Sequence, residues 1–494
     1  MTTSTNQAPT GAGSAAGRPD EDFVRNRLIE LIRTKQARIG VIGLGYVGLP
    51  TALAFAEKGF TTIGFDVNAD KVRALNSGHV APSIDAAAIV NYLSDQRFRA
   101  TFDLTELATC DCITVSVPTP LSFSNEPDLS YIHAAVAEIK PHLRRGQLVV
   151  LESTTYPGCT DEIFLPALQE SGLRLDRDFL LAFSPERIDP GNATFTFSTV
   201  PRIVGGSSAD SRDAAAALYE QVVPSVRAVS STRVAETSKL LENTFRAINI
   251  GLVNEFAMMC HQMGIDVWEV IDAAKSKPFG FMPFYPGPGI GGHCIPLVPE
   301  FFSWKGRQFG IQSRFISLAE QLNGAMPSFV IDLIMEGLNA DAKPLHGARV
   351  LLIGVSYKKD IGDALESPAI EIIQLLREKG AVVSYHDPFV PTLDFTNIPL
   401  KLSRSTYYAG SQRRGTKIPE SALVDHEARR LRDPLHSIEL TSDAVRAADC
   451  VVIVTDHSSI DYKALTQDAQ LIVDTRNAID EETRRTSRAR IVRL

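Results

Sequence analysis

The chain contains no apolar run near the ~18 residues that a membrane span requires, no surplus of basic residues and no cysteine framework. Each absence removes a class of function. Without a long hydrophobic run no membrane partner is expected. A formal net charge of −8 leaves too little basic surface for nucleic acid to be the main partner, because duplex binding rests on neutralised phosphates. Six cysteines (Cys110, Cys112, Cys159, Cys260, Cys294 and Cys450) are too scattered for a disulfide scaffold. Cys110 and Cys112 adjoin an apolar run and lack metal-ligand spacing, so no metal is expected either. A reducing, cytoplasmic compartment follows. Residues 1–20 are mostly Thr, Ser, Ala and Gly, have no apolar block of the signal-peptide kind, and read as a disordered tail.

What is present is one supersecondary plan used twice. The stretch from Ala37 to Asp66 gives a β-branched run, a glycine turn, a helical stretch closed by Gly59, and a second apolar run. That is a βαβ unit. Residues 348–387 repeat it, with Ser367 placed as an N-cap, Pro368 in the first helical turn and Gly380 as the stop. Between them residues 232–263 hold no proline and a single glycine, and predict a helix of about 45 Å at ~1.5 Å per residue. Its Leu, Ile, Phe and Met content suits packing against a second subunit. The expected fold class is therefore α/β, two Rossmann-like doubly wound domains joined by a long central helix. The expected boundaries are 21–228, 229–335 and 336–494, with a polar surface insertion at about 401–437.

Gly43, Gly45 and Gly48 form G-x-G-x-x-G directly after a strand and at a helix start, around Tyr46 and Val47. Asp66 follows at about the 20-residue spacing at the end of the next strand. This context specifies a tight turn, a close approach to pyrophosphate and a helix N-terminus facing it. Asp66 accepts from ribose hydroxyls and repels a 2′-phosphate, so the cofactor is NAD; Lys71 either pairs with Asp66 or meets the adenosine. On the long helix Glu236, Lys239, Asn243 and Arg246 recur at three- and four-residue spacing on one stripe. That stripe is either a solvated ion-pair row or the wall of a cleft in which a Lys and an Asn hold an oxyanion. Pro118 and Thr119, the run Glu152–Gly158 containing Thr155, and the run Ser184–Gly191 containing Glu186 and Arg187 follow apolar runs, as loops aimed at a site do. Gly287, Gly289, Gly291 and Gly292 crowd the approach to His293 and Cys294, where a pliant backbone can close around a reacting carbon.

Taken together, Gly-Leu-Gly-Tyr-Val-Gly, Val-Pro-Thr-Pro, Ser-Pro-Glu-Arg, Lys-Leu-Leu-Glu-Asn-Thr-Phe-Arg, Gly-Gly-His-Cys, Tyr-Lys-Lys-Asp, Thr-Asp-His and Val-Asp-Thr-Arg-Asn resemble the UDP-glucose/GDP-mannose dehydrogenase family. The Gly-Gly-His-Cys-Ile-Pro form is similar to members acting on UDP-N-acetylhexosamines. The resemblance implies NAD-dependent oxidation of a UDP-sugar C6 alcohol to the acid. In that scheme Cys294 carries a thiohemiacetal and then a thioester. Lys239 and Asn243 stabilise oxyanions, Glu186 acts in acid/base steps, and Thr155 holds water and cofactor. Arg187, Arg246, Tyr285, Gly287, Tyr357 and Lys358 lie on the substrate side, in a homodimer or higher homo-oligomer. Free cysteine is only a few per cent thiolate near neutrality, and a cation such as Lys239 raises that share.

Two departures stand out. The family's aspartate four residues after the cysteine is Val298 here, and its arginine before Glu-Ser-Pro is Leu365. The first would leave the Lys239 ammonium without its carboxylate, a gap that Glu300 fills if the backbone there is extended. These losses keep open a catalytically impaired homologue that binds NAD and nucleotide sugar. A two-electron hydroxyacid dehydrogenase, which needs no cysteine, is the other alternative.

Overall fold

The computed structural model describes residues 19–79, 86–122, 125–188, 194–292, 295–395 and 433–494. The expected tail up to residue 18, most of the 401–437 insertion, and His293 and Cys294 lie outside the described residues. The chain divides into two compact units after Glu236, with Pro120–Asp128 grouped with the second.

The first unit is built on β1 (Ile39–Ile42), β2 (Thr62–Phe65), β3 (Phe98–Thr101), β4 (Cys112–Val115), β5 (Gln147–Leu151), β6 (Phe179–Phe183), β7 (Arg202–Gly206) and β8 (Val226–Val229). They hydrogen-bond in the order β3-β2-β1-β4-β5-β6-β7-β8, parallel throughout except for β6 with β7. The order reverses between β1 and β4, and ligands of open parallel sheets bind at such a switch point. β1, β2, β4, β5 and β6 are buried along their whole length, as strands covered on both faces must be. The glycine turn leads from β1 into helix Gly48–Glu57, so the nucleotide-type βαβ unit stands where the sequence put it.

The second unit carries a five-stranded all-parallel sheet of β9 (Arg349–Ile353), β10 (Val382–His386), β13 (Cys450–Ile453), β14 (Leu471–Asp474) and β15 (Arg490–Arg493), ordered β10-β9-β13-β14-β15. A two-residue ribbon, β11 (Thr392–Leu393) with β12 (Leu435–His436), lies outside it. Ser367 caps helix Pro368–Glu378 by accepting from the Ala369 N–H, and Gly380 ends it at φ +83°. Both match the expectation.

Helix Thr232–Met263 has 32 residues and carries the chain from one unit into the other. Its lower half, together with helices Val267–Lys275 and Arg314–Ala340, shares one apolar core with the second sheet, running from Ala257 and Trp268 through Val330 and Ile334 to Leu352 and Val473. Along the same long helix Leu241, Phe245, Leu252, Phe256, Met259 and Met263 are exposed. They recur at steps of four, seven, four, three and four, which is a single apolar stripe at helical period.

Candidate active site

In the first unit the glycine turn has a distinct constraint at each position. Gly43 sits at φ +87° with the Ser116 carbonyl where a Cβ would go, and a Cβ at Gly48 would collide with the Gly43 carbonyl. At Gly45 a Cβ would meet no atom within 4 Å. Packing therefore explains Gly43 and Gly48, whereas Gly45 borders open space at the switch point. Val47 provides no side-chain cap to helix Gly48–Glu57, while the Leu49 N–H donates to the Gly45 carbonyl (3.1 Å) and Pro50 has no N–H, so the positive end of the helix faces the turn with no acidic group of its own there. Asp66 is anchored: Oδ2 accepts the Leu44 N–H (3.1 Å) and Lys71 Nζ (2.8 Å), and Oδ1 accepts the Asn68 N–H (2.9 Å). Lys71 thus takes the ion-pair alternative. Tyr46 is half exposed at the turn. These features fit a dinucleotide, with pyrophosphate over Gly45 and the helix N-terminus.

The loops after β4, β5 and β6 are stitched together. Thr119 Oγ1 donates to the Thr154 carbonyl (2.7 Å) and Ser153 Oγ accepts the Val117 N–H (2.9 Å), next to Pro118. Arg202, on β7, binds Glu152 and also Glu186 Oε2 (2.8 Å), and its Nε reaches Ser184 Oγ at 3.0 Å. Ser116 Oγ and Tyr219 Oη complete the Glu152 shell at 2.6 Å each. Full burial, the largest influence, pushes the Glu152 carboxyl up against the pull of Arg202, Ser116 and Tyr219. The other Glu186 oxygen, Oε1, accepts the N–H groups of Arg187 (2.6 Å) and Ile188 (2.5 Å). Thr155 Oγ1, among the described residues, is buried without a hydrogen-bond partner.

The polar stripe of the long helix does not behave as a solvated row. Glu236 is fully buried and accepts the Gly158 N–H (2.5 Å), the Thr160 N–H (2.9 Å) and Thr160 Oγ1 (2.7 Å), so it pairs with backbone donors instead of Lys239. Burial raises its carboxyl, opposed by those same hydrogen bonds. Lys239 and Asn243 are both 7% exposed. Among the described residues Lys239 has no hydrogen bond or ion pair, and Asn243 Nδ2 is buried without a partner. Arg246, one turn on, is exposed.

In the second unit the glycine-crowded loop is held by close packing. A Cβ at Gly287 would stand 2.6 Å from Arg476 Nη1; at Gly291 it would meet the Glu366 carbonyl and Tyr357 Cβ at 2.8 Å; at Gly292 it would strike the Tyr357 ring at 2.7 Å. These glycines admit close neighbours, and Gly289 and Gly292 also hold positive φ (+133° and +88°), so the loop needs its bare backbone on both counts. Tyr285 stacks on Trp268 (centroids 6.1 Å, interplanar 14°). Lys358 follows Tyr357 in a loop pinned through Ser356 Oγ to the Lys358 carbonyl (2.8 Å). Burial pulls the nearby Arg476 guanidinium below its usual range.

Helix Val298–Gln308 overturns the premise for Glu300. The backbone is helical, so positions 298 and 300 point to different sides. Glu300 is buried, with Arg307 Nη1 3.8 Å from its Oε2. Leu365 contributes its carbonyl to the Gly292 N–H (3.2 Å) while its side chain is half exposed.

Sequence reasoning missed Arg202, although a lone arginine opening an apolar strand in Pro-Arg-Ile-Val-Gly-Gly signals a buried charge in need of carboxylates. It also missed Asp387, which repeats at the end of β10 what Asp66 does at the end of β2. Asp387 Oδ2 accepts the N–H groups of Val355 (2.7 Å) and Ser356 (3.1 Å) and His457 Nε2 (3.0 Å). His457 is fully buried and takes the Asp360 N–H on Nδ1 (3.0 Å), which fixes its tautomer.

Three family models match in series: the UDP-glucose/GDP-mannose dehydrogenase family NAD binding domain over residues 37–223, its central domain over 233–325 and its UDP binding domain over 351–481. The chain is 36% identical over 362 residues to a UDP-N-acetyl-D-glucosamine 6-dehydrogenase of Pseudomonas aeruginosa, covering 73% of this chain and 85% of that protein. It is 33% identical over 454 residues to a UDP-N-acetyl-D-mannosamine dehydrogenase of Pyrococcus horikoshii, covering 90% and 96%. The solved structure of UDP-D-ManNAc dehydrogenase from Pyrococcus horikoshii superposes with a TM-score of 0.75 at 31% identity, covering 90% of this chain and 96% of that one.

Proposed function

The chain belongs to the UDP-glucose/GDP-mannose dehydrogenase family, and from that premise we propose that it oxidises the C6 alcohol of a UDP-N-acetylhexosamine to the uronic acid through a thioester on Cys294. The observation that carries the reading is the buried pair Lys239 and Asn243. A largely buried lysine side chain with no hydrogen bond or ion pair and a buried amide N–H without a partner await oxygen atoms that the protein does not provide.

Bound NAD supplies the hydride acceptor for both oxidations. Gly45 would give it room on a turn completed by Gly43, Tyr46, Val47 and Gly48, Asp66 would offer its remaining lone pairs to ribose, and Pro118, Thr119 and Thr155 would flank it from the neighbouring loops. The Cys294 thiolate adds to the C6 aldehyde carbon, and the sulfur keeps the acyl group until water takes it. Lys239 and Asn243 hold the oxygen that bears developing charge at each addition. Thr155 Oγ1, buried and unpartnered, suits a water held for hydrolysis. Glu186 has one oxygen on two backbone N–H groups and the other on Arg202, an arrangement that favours setting the Glu186–Ile188 loop over carrying protons. Arg187, Arg246, Tyr285, Gly287, Tyr357 and Lys358 remain the substrate-side residues.

The working division is a cofactor domain at 21–228, a helical domain at 229–335 and a nucleotide-sugar domain at 336–494. The exposed Leu241–Met263 stripe supports a homodimer through the long helix. Among the described residues no helix is long and apolar enough to cross a membrane, and we take the compartment to be the cytoplasm. Assay of NADH release with a panel of UDP-sugars tests the substrate class. About two NADH per acid formed, with N-acetylhexosamine substrates preferred, supports it. Turnover of simple hydroxyacids with one NADH would point to the two-electron alternative.

A further inference from the structure

We propose that Asn254 and Asn323 are positioning residues: a buried two-amide relay that locks the cysteine-bearing loop onto the long helix. The idea rests on the role given above to Cys294. The Gly287 N–H donates to Asn254 Oδ1 (3.0 Å), Asn254 Nδ2 donates to Asn323 Oδ1 (2.9 Å), and Asn323 Nδ2 donates to the Ala247 carbonyl (3.0 Å). Asn254 is fully buried and Asn323 nearly so.

The polarity of this chain is set at both ends. A backbone N–H can only donate and a backbone carbonyl can only accept, so each residue between them must accept on one side and donate on the other. Among side chains of this length an amide does both in these positions while staying neutral at every ordinary pH, whereas an ionised carboxylate can only accept. The amide orientations are thereby fixed by the ends of the chain and need no separate assumption.

Placement gives the relay its use. Asn243, Ala247 and Asn254 lie on one face of helix Thr232–Met263, since eleven residues complete about three turns. The helix therefore presents Asn243 at one level and grips Gly287 at another. Gly287 opens the run that reaches Cys294 seven residues later. Helix Arg314–Ala340 supplies Asn323 at close range, because Gly251 lets the two helices approach until a Cβ there would stand 3.1 Å from Ala319 Cα. Loop register against the oxyanion-binding helix is thus set by two hydrogen bonds and a third at the far end.

The test compares Asn254→Asp and Asn323→Asp with Val330→Ala, a truncation of the apolar core about two turns along the helix that carries Asn323. A carboxylate at either position puts an acceptor where a donor is required. Expected are faster hydrogen exchange at the Gly287 amide by about tenfold in both aspartate variants, although Asn323 does not touch Gly287. Also expected are a fall in kcat of about tenfold or more with little change in KM for the UDP-sugar, and release of aldehyde with fewer than two NADH per substrate. Val330→Ala should lose stability without these signatures. Unchanged Gly287 protection in Asn323→Asp, or a kcat loss no larger than that of Val330→Ala, overturns the relay. If the wild type oxidises no UDP-sugar, the functional reading fails while the exchange measurement still decides the relay.

Discussion

Replacing Arg202 with methionine should be among the most damaging single changes in the first unit. Its guanidinium bridges two buried carboxylates, Glu152 and Glu186, and lies over the rings of Phe197 and Tyr219 at 5.0 and 4.9 Å. Methionine fills much of the same volume, so packing is largely kept and the electrostatic loss dominates. Removing one member of a buried ion pair costs about 3–5 kcal/mol, because the remaining charge stays desolvated. Two carboxylates share this one partner, which places the expectation at the upper end. For a domain of roughly 150–250 residues each kcal/mol lowers Tm by about 2–4 °C, so a fall on the order of 10 °C is expected in thermal unfolding. The pH dependence adds a second signature. Burial already raises the folded-state pKa of Glu152 above its unfolded value. Losing Arg202 raises it further, so the variant should be least impaired below about pH 4.3 and worsen as pH rises through the folded value. Adding Glu152→Gln should recover part of the loss. A deficit below ~1 kcal/mol, or one that shrinks towards neutral pH, would refute the reasoning.

Further outcomes follow from single contacts. Gly45→Ala should leave Tm nearly unchanged, since nothing lies within 4 Å of the added Cβ, yet weaken NAD binding about tenfold or more by fluorescence titration; Gly48→Ala should destabilise the fold by striking the Gly43 carbonyl. Lys239→Met should fold normally and lower kcat by roughly 10²–10³, read from initial rates of NADH release. Burial pushes Asp387 up, but hydrogen bonds from His457, Val355 and Phe389 bring its carboxyl net below the ordinary aspartate range. Its stabilisation is therefore complete above about pH 3.9 and lost as pH falls through the lower folded value, so Asp387→Asn should flatten the acid limb of the unfolding curve.

Much of this was legible in the residues because it is local. The first glycine turn, the Asp66 spacing, the long helix at 232–263 and the Ser367-Pro368 start each follow from rules acting within a few residues, and each stands as expected. What was not legible depends on partners far away in sequence. Glu236 looked like a surface charge because its donors, Gly158 and Thr160, lie more than seventy residues earlier. The packing demand on the second glycine loop was not legible because Tyr357, Pro368 and Arg476, which crowd its bare backbone, come later in the chain. The condition set for Glu300, an extended backbone, fails for a local reason: Pro299 sits comfortably in a first helical turn, and the segment is a helix.

The most direct test is acid quenching of the enzyme during turnover with a UDP-N-acetylhexosamine and NAD, followed by mass analysis of the peptide that contains Cys294. The account predicts an acyl adduct of the sugar acid on that cysteine, absent without NAD, and loss of acid formation in Cys294→Ala. Acid formed with two NADH per substrate by Cys294→Ala would contradict it.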